Sequence, residues 1–246
     1  MKPDIELNSL ALKTRKLFGE DSYSPIDIFA VVNGWKEKKI TIVYYPLSER
    51  VSGMCTKVND DIVIAINSAT SYGRQRFTLA HELYHILYEN DMKRVVCDMS
   101  MGEDKTDSER EADRFAGYLL MPYDALMQYA ETKSRWSLED VIEAEQFFQV
   151  SHQAMLLRLY LESYINKKQY DEYRSVRVSG TALRMGYGAE LYKASSNQYY
   201  TVGEYIRKVE QLSVKEMISE GKKEELLLDA FRADIVYNLD EEELND

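Results

Sequence analysis

Several residue types are scarce in this chain. Of its 246 residues, two are cysteine, three histidine, four proline and 11 glycine. Two cysteines in unrelated contexts, Cys55 and Cys97, exclude a disulfide framework and suit a reducing cytoplasm. So little proline and glycine implies a helix-rich chain with few long loops. No stretch approaches the roughly 18 uninterrupted apolar residues of a membrane span. The N-terminal run MKPDIELNSLALKTRK mixes acids with its apolar residues and lacks the apolar segment of a signal peptide, so a cytoplasmic protein is expected. Positive charge is also short. Lys and Arg number 31 against 42 Asp and Glu, a formal net charge of −11, which disfavours nucleic acid and anionic membranes as partners. The 45% of hydrophobic residues is a globular share, enough for one or two domains.

Helical periodicity covers residues 5–18. Ser24-Pro25 predicts a second short helix with proline at its first position, running to about Asn33-Gly34. Lys39–Tyr45, Val51–Val58 and Asp61–Asn67 read as strands, with Asn59-Asp60 as a hairpin turn. Helix is expected from Ser71 to Tyr88, then a less regular stretch to about 105, then helix again over 107–120. Residues 123–133, 137–147 and 151–165 follow as three helices, with Ser137 and Ser151 as N-caps. Two more, at about 201–220 and 222–237, precede the acidic tail DEEELND. The composition shifts near 175. The expected organisation is a first domain over 1–121 with N-terminal helices and the small sheet, a helical extension over 122–175 packed on it, and a C-terminal region over 176–246. The fold class is α+β, mostly helical, with a small sheet.

Two of the three histidines stand in His81-Glu82-Leu83-Tyr84-His85, an H-E-x-x-H pattern. Residues i and i+4 of a helix share a face, so both imidazoles reach one metal ion, and Glu82 lies within reach of a water on that ion. Within FTLAHELYHILY, Glu82 is the only acid and no Lys or Arg is present. An ionised carboxylate there is costly without compensation. A catalytic zinc site needs a third protein ligand and an open position.

The helix at 107–120 offers Glu109 and Glu111. Its core stripe is Ala112, Phe115, Ala116, Leu119 and Leu120; Glu109 falls within about 50° of the stripe's centre and Glu111 about 110° away, which favours Glu109. Asp113, one turn on, is placed to accept a ligand histidine's other N–H. Capping competes for these glutamates. Both Thr106-x-x-Glu109 and Ser108-x-x-Glu111 fit a capping box; Ser108 as cap occupies Glu111, whereas Thr106 as cap weakens the case for Glu109.

RQRFTLAHELYHILY followed, about 20 residues later, by EREADRFAGYLLMP resembles the ImmA/IrrE family of metallopeptidases. The likeness extends from about 25 to 165, through Ser52-Gly53 upstream and the Phe148-x-Val-Ser segment downstream. It implies a zincin-like domain with Zn2+ on His81, His85 and Glu109, and Glu82 as catalytic base. It further implies an endopeptidase whose substrate is a helix-turn-helix repressor or antitoxin, typically a genetic neighbour and often of a mobile element. Tyr84 departs from the family, which usually has glycine there. In resembling zincins the strand before the zinc helix lies near the cleft, so Ile62, Ile64 and Ile66 are candidates for an exposed edge onto which peptide adds, with Val51–Thr56 as the alternative.

Tyr84, Tyr118 and His152 are oxyanion candidates by residue type alone. Residues 138–165 have a helix-turn-helix outline, but the acids Glu139, Asp140, Glu143 and Glu145 on the first helix favour packing over DNA contact. The rival reading is a toxin-like or sensor partner of a cognate repressor with little or no peptidase activity; the intact Glu82 argues against it.

Overall fold

The computed structural model describes residues 1–89, 94–98, 106–133, 135–195 and 198–238, with 94–98 described in backbone only. The acidic tail lies outside the described residues.

Helices α1 (Asp4–Leu17) and α2 (Ile28–Gly34) lead into strands β1 (Lys39–Tyr45), β2 (Val51–Val58) and β3 (Asp61–Asn67). The second helix starts later than expected. Asp27, not the residue before Pro25, caps it by accepting from the Ala30 N–H. Asn59 takes a left-handed φ of 56° in the turn between β2 and β3. Helix α3 (Tyr72–Tyr88) begins one residue after the expected start, with Ser71 at its N-cap position.

The irregular stretch after it contains a strand that periodicity did not reveal, β4 (Arg94–Asp98). Then come α4 (Asp107–Leu120), α5 (Tyr123–Ala130), α6 (Leu138–Phe148), α7 (His152–Leu161), α8 (Lys167–Arg174), α9 (Ser179–Arg184) and a short 3-10 turn at 190–192. A second unexpected strand, β5 (Tyr200–Gly203), precedes α10 (Glu204–Val214), α11 (Glu220–Asp229) and α12 (Ala233–Tyr237). Phe231, at φ 60°, divides the last expected helix in two.

The five strands form one mixed sheet in the order β4-β2-β3-β1-β5. β1 and β3 run parallel, with Ile42 opposite Ile64; the other pairs are antiparallel. The C-terminal stretch therefore contributes to the N-terminal sheet, because β5 pairs Val202 with Ile42 of β1. This order corrects the expected substrate edge. β3 lies between β1 and β2, and Ile62, Ile64 and Ile66 are core residues, at most 3% exposed. The alternative, β2, is also paired on both sides. The sheet ends on β4 and β5.

α3 is the spine of the molecule. Every residue from Thr78 to His85 is buried, as befits a helix packed on the sheet and on α4. Its first turns are anchored by side chains to main chain. Gln75 Nε2 donates to the Ser68 and Thr70 carbonyls at 3.2 and 2.8 Å. Arg76 donates to the carbonyl of Gln149, at 2.8 Å, and to that of Ile26. The fully buried Arg15 of α1 donates to the Leu119 carbonyl at 2.7 Å and so fixes α1 against the end of α4.

Ser137 and Ser151 cap α6 and α7 as expected. In α7, Arg158 is buried over the Tyr118 ring and bonded to Glu162 at 2.5 Å, so it is not presented to solvent. No helix among the described residues is long and apolar enough to cross a membrane.

Candidate metal centre

The two histidines of α3 face Glu109 of α4 across the interface of these helices. His81 Nε2 and His85 Nε2 lie 3.2 Å apart. Glu109 Oε2 is 3.3 Å from His81 Nε2, and Glu109 Oε1 is 3.5 Å from His85 Nε2. These three side chains form a group able to hold a metal ion. The two Nε2 atoms are at a separation that suits a shared zinc ion, and the Glu109 carboxylate turns one oxygen toward each of them.

The far nitrogens of both rings meet carboxylates. His81 Nδ1 is 2.9 Å from Asp113 Oδ1, the contact expected of Asp113. His85 Nδ1 is 2.9 Å from Glu89 Oε2, at ion-pair distance though without hydrogen-bond alignment. Glu89 was not anticipated. It follows α3 directly, one turn after His85, and that spacing was the signal available. The Ser108 hydroxyl at the start of α4 donates to its other oxygen. Burial works against a charged His81, but its bonds to Asp113 and Glu109 prevail and raise its pKa to about 9. The surroundings thus favour a cation at this ring, whether a proton or a metal.

Glu82 is fully buried beside this group, and neither carboxylate oxygen has a hydrogen-bond partner among the described residues. Such a carboxylate in a low-dielectric interior demands compensation. It sits against β2. A Cβ on Gly53 would lie 3.3 Å from Glu82 Oε1, 3.0 Å from the Ala65 carbonyl and 2.5 Å from Thr78 Cγ2. Glycine at 53 therefore lets α3 approach the sheet closely enough to seat Glu82. Burial pushes the neighbouring Cys55 thiol far up, and the charge of Glu82 and the approach of the thiol to its carboxylate add to the shift; this weak thiol contact leaves the Glu82 charge without a strong donor.

Residues 36–160 match the sequence model of Peptidase_M78, the IrrE N-terminal-like domain. The chain belongs to this family. Membership in the ImmA/IrrE family supports a metallopeptidase-like domain, and the donor set, two imidazoles and a carboxylate with a fourth side left to other ligands, fits zinc. Among solved structures, a Mycobacterium tuberculosis transcriptional regulator shares 16% identity at a TM-score of 0.43, over 63% of this chain. The match spans 46% of that chain. A search of curated protein sequences gave no significant match.

The other candidates fall elsewhere. Thr106, not Ser108, caps α4, accepting from the Glu109 N–H at 3.2 Å. This corrects the expected trade-off, because the cap engages the backbone of Glu109 while its carboxylate faces the histidines. Glu111 points the other way. It accepts from Lys2 Nζ at 2.7 Å, the Lys2 N–H at 2.5 Å and the Tyr84 hydroxyl at 2.5 Å. Burial opposes its ionisation, but these donors hold its carboxyl down at about 2. Tyr84, where the ImmA/IrrE family usually has glycine, thus spends its hydroxyl on Glu111 and Lys2. The Tyr118 ring lies under the Arg158 guanidinium, 3.9 Å away. His152 is bonded to Glu145 and to the Tyr173 carbonyl. None of the three oxyanion candidates has its polar atom committed to the metal group.

Proposed function

We propose that this protein is a zinc-dependent endopeptidase, with zinc on His81, His85 and Glu109 and Glu82 as the catalytic base. The observation that carries the reading is a buried carboxylate with no hydrogen-bond partner among the described residues, beside two imidazoles and a second carboxylate that converge closely enough to share a metal ion. When bound, zinc supplies Lewis acidity for the scissile carbonyl and the attacking water. Glu82 takes the proton of that water and passes it to the leaving amine nitrogen. Asp113 holds the His81 imidazole in the tautomer and orientation that leave Nε2 for the ion, and the charge of Glu89 faces the corresponding nitrogen of His85.

Family resemblance supports a helix-turn-helix repressor or antitoxin as the substrate, with both proteins in the cytoplasm. The test is to incubate the purified, zinc-supplied chain with the repressor encoded beside its gene and to follow cleavage by mass spectrometry. Wild type should cut at one or a few bonds, and Glu82→Gln should bind metal normally but cut at least ~100-fold more slowly. Equal biological effect from a normally folded Glu82→Gln would refute the peptidase reading in favour of a binding partner.

A further inference from the structure

A second site lies where α3 and α7 begin. A cavity of about 530 Å3 is lined by Arg74 of α3, Arg174 of α8, Arg177 and Lys193. No acidic residue lines it. None of these four cations makes an ion pair with a described residue, in a chain whose net charge is −11. Other surface cations are paired locally, as in Lys133 with Asp140 or Lys208 with Asp61. Arg74 Nε is buried without a hydrogen-bond partner among the described residues. Of the Arg-Gln-Arg triplet, Gln75 and Arg76 are consumed in anchoring α3, and only Arg74 is left facing this space.

Two helix N-termini meet at the same cavity, through Ser71 at the start of the 17-residue α3 and Ser151 at the start of the 10-residue α7. The Ser71 hydroxyl does not cap its own helix. Helix N-termini carry partial positive charge and present N–H groups, so they add to the four cations. The volume is that of a small-molecule site and far exceeds one phosphate. The remaining lining includes an apolar and aromatic part, Val176, Val178 and the half-buried Tyr192 ring, beside the polar Thr70, His152, Gln153 and Ser179.

We infer that this cavity binds a phosphorylated small molecule of nucleotide size. The phosphates lie among the arginines and the two helix starts, and the apolar part lies toward Tyr192. Arginine forks match phosphate oxygens in pairs, and three of the four cations here are arginine. Arg74 stands seven residues, two turns, before His81 on one face of α3, and Asp113, which holds His81, is close enough for its charge to act on Arg74.

The test is calorimetric titration of the full chain with adenosine diphosphate, adenosine and a polyglutamate peptide, in wild type and in the Arg174→Gln/Arg177→Gln double variant. Both side chains are exposed, so the variant should melt as wild type does. The expected result is saturable binding of one diphosphate per chain, weakened at least roughly tenfold in the variant, with adenosine far weaker. The variant retains the metal ligands, so binding that persists in it lies elsewhere and overturns the assignment. Absence of saturable diphosphate binding at about 1 mM overturns it as well. So does adenosine binding as tightly as the diphosphate. Binding of polyglutamate with the diphosphate silent would assign the cavity to an acidic polypeptide instead.

Discussion

Replacing His152 by alanine should destabilise the fold severely without touching the metal centre. Glu145 of α6 is fully buried. One of its oxygens is 2.5 Å from His152 Nδ1, and the other accepts from the Tyr192 hydroxyl at 2.9 Å. His152 Nε2 is 3.0 Å from the Tyr173 carbonyl, so both ring nitrogens face acceptors, an arrangement that favours the imidazolium; burial pushes the Glu145 carboxyl up, and its bonds to His152 and Tyr192 oppose that rise. Burial lowers the pKa of His152, but Glu145 and the Tyr173 carbonyl outweigh it, and the pKa is raised above 6.5. Removing one partner of such a pair leaves a buried charge, at a cost of about 3–5 kcal/mol. For a chain of this size that is a fall of roughly 10 °C in Tm. Glu145→Gln in the same chain removes the orphaned charge, so the double variant should recover most of the loss. A raised histidine pKa contributes stability that is fully present below about 6.5 and is lost as pH rises through the folded value. Wild type should therefore lose stability above neutral pH, and the double variant should lose less. Calorimetric melts from pH 6 upward check both points. A His152→Ala loss under about 1 kcal/mol, or one that Glu145→Gln does not relieve, would refute the reasoning.

Gly53→Ala should cost about 1–3 kcal/mol, because its Cβ would meet Thr78 Cγ2 at 2.5 Å; Thr78→Ser beside it should restore part of the loss in a denaturant titration. Elemental analysis should find about one zinc per chain in wild type, a loss of metal in His85→Ala and Glu109→Ala, and its retention in Glu111→Ala. Asp113→Asn should keep the fold but weaken zinc roughly 10–100-fold in a chelator competition, and Glu89→Gln should act in the same direction on His85.

The metal group was legible because its parts obey one rule. His81 and His85 share a face of α3 by spacing alone, and the core stripe of α4 sets the phase that turns Glu109 toward them. Glu89 was not legible in the same way, because it lies beyond the last helical residue, where 3.6-residue periodicity says nothing about direction. The strand β5 is four residues long, and its partner β1 lies some 160 residues earlier, so no local pattern announces it. The misreading of Ile62, Ile64 and Ile66 has a related cause. An alternating apolar strand reads identically at the edge and in the centre of a sheet. Only the parallel pairing with β1, made by chain far away in sequence, decides it.

The same distinction explains why α3 bears so much of the chemistry. A helix buried on every face from Thr78 to His85 has no solvent to satisfy a polar side chain, so each one must find its partner in the fold. His81 and His85 find Asp113 and Glu89 on one side and Glu109 on the other. Thr78 meets the sheet at Gly53. Glu82 alone ends with neither oxygen hydrogen-bonded among the described residues. A core residue so placed weakens the fold unless something charged arrives beside it, and the three ligand atoms nearby are spaced for such an arrival. The cost of seating Glu82 there is the physical argument for the catalytic role proposed above, since a metal that only braced α3 against α4 would need no base.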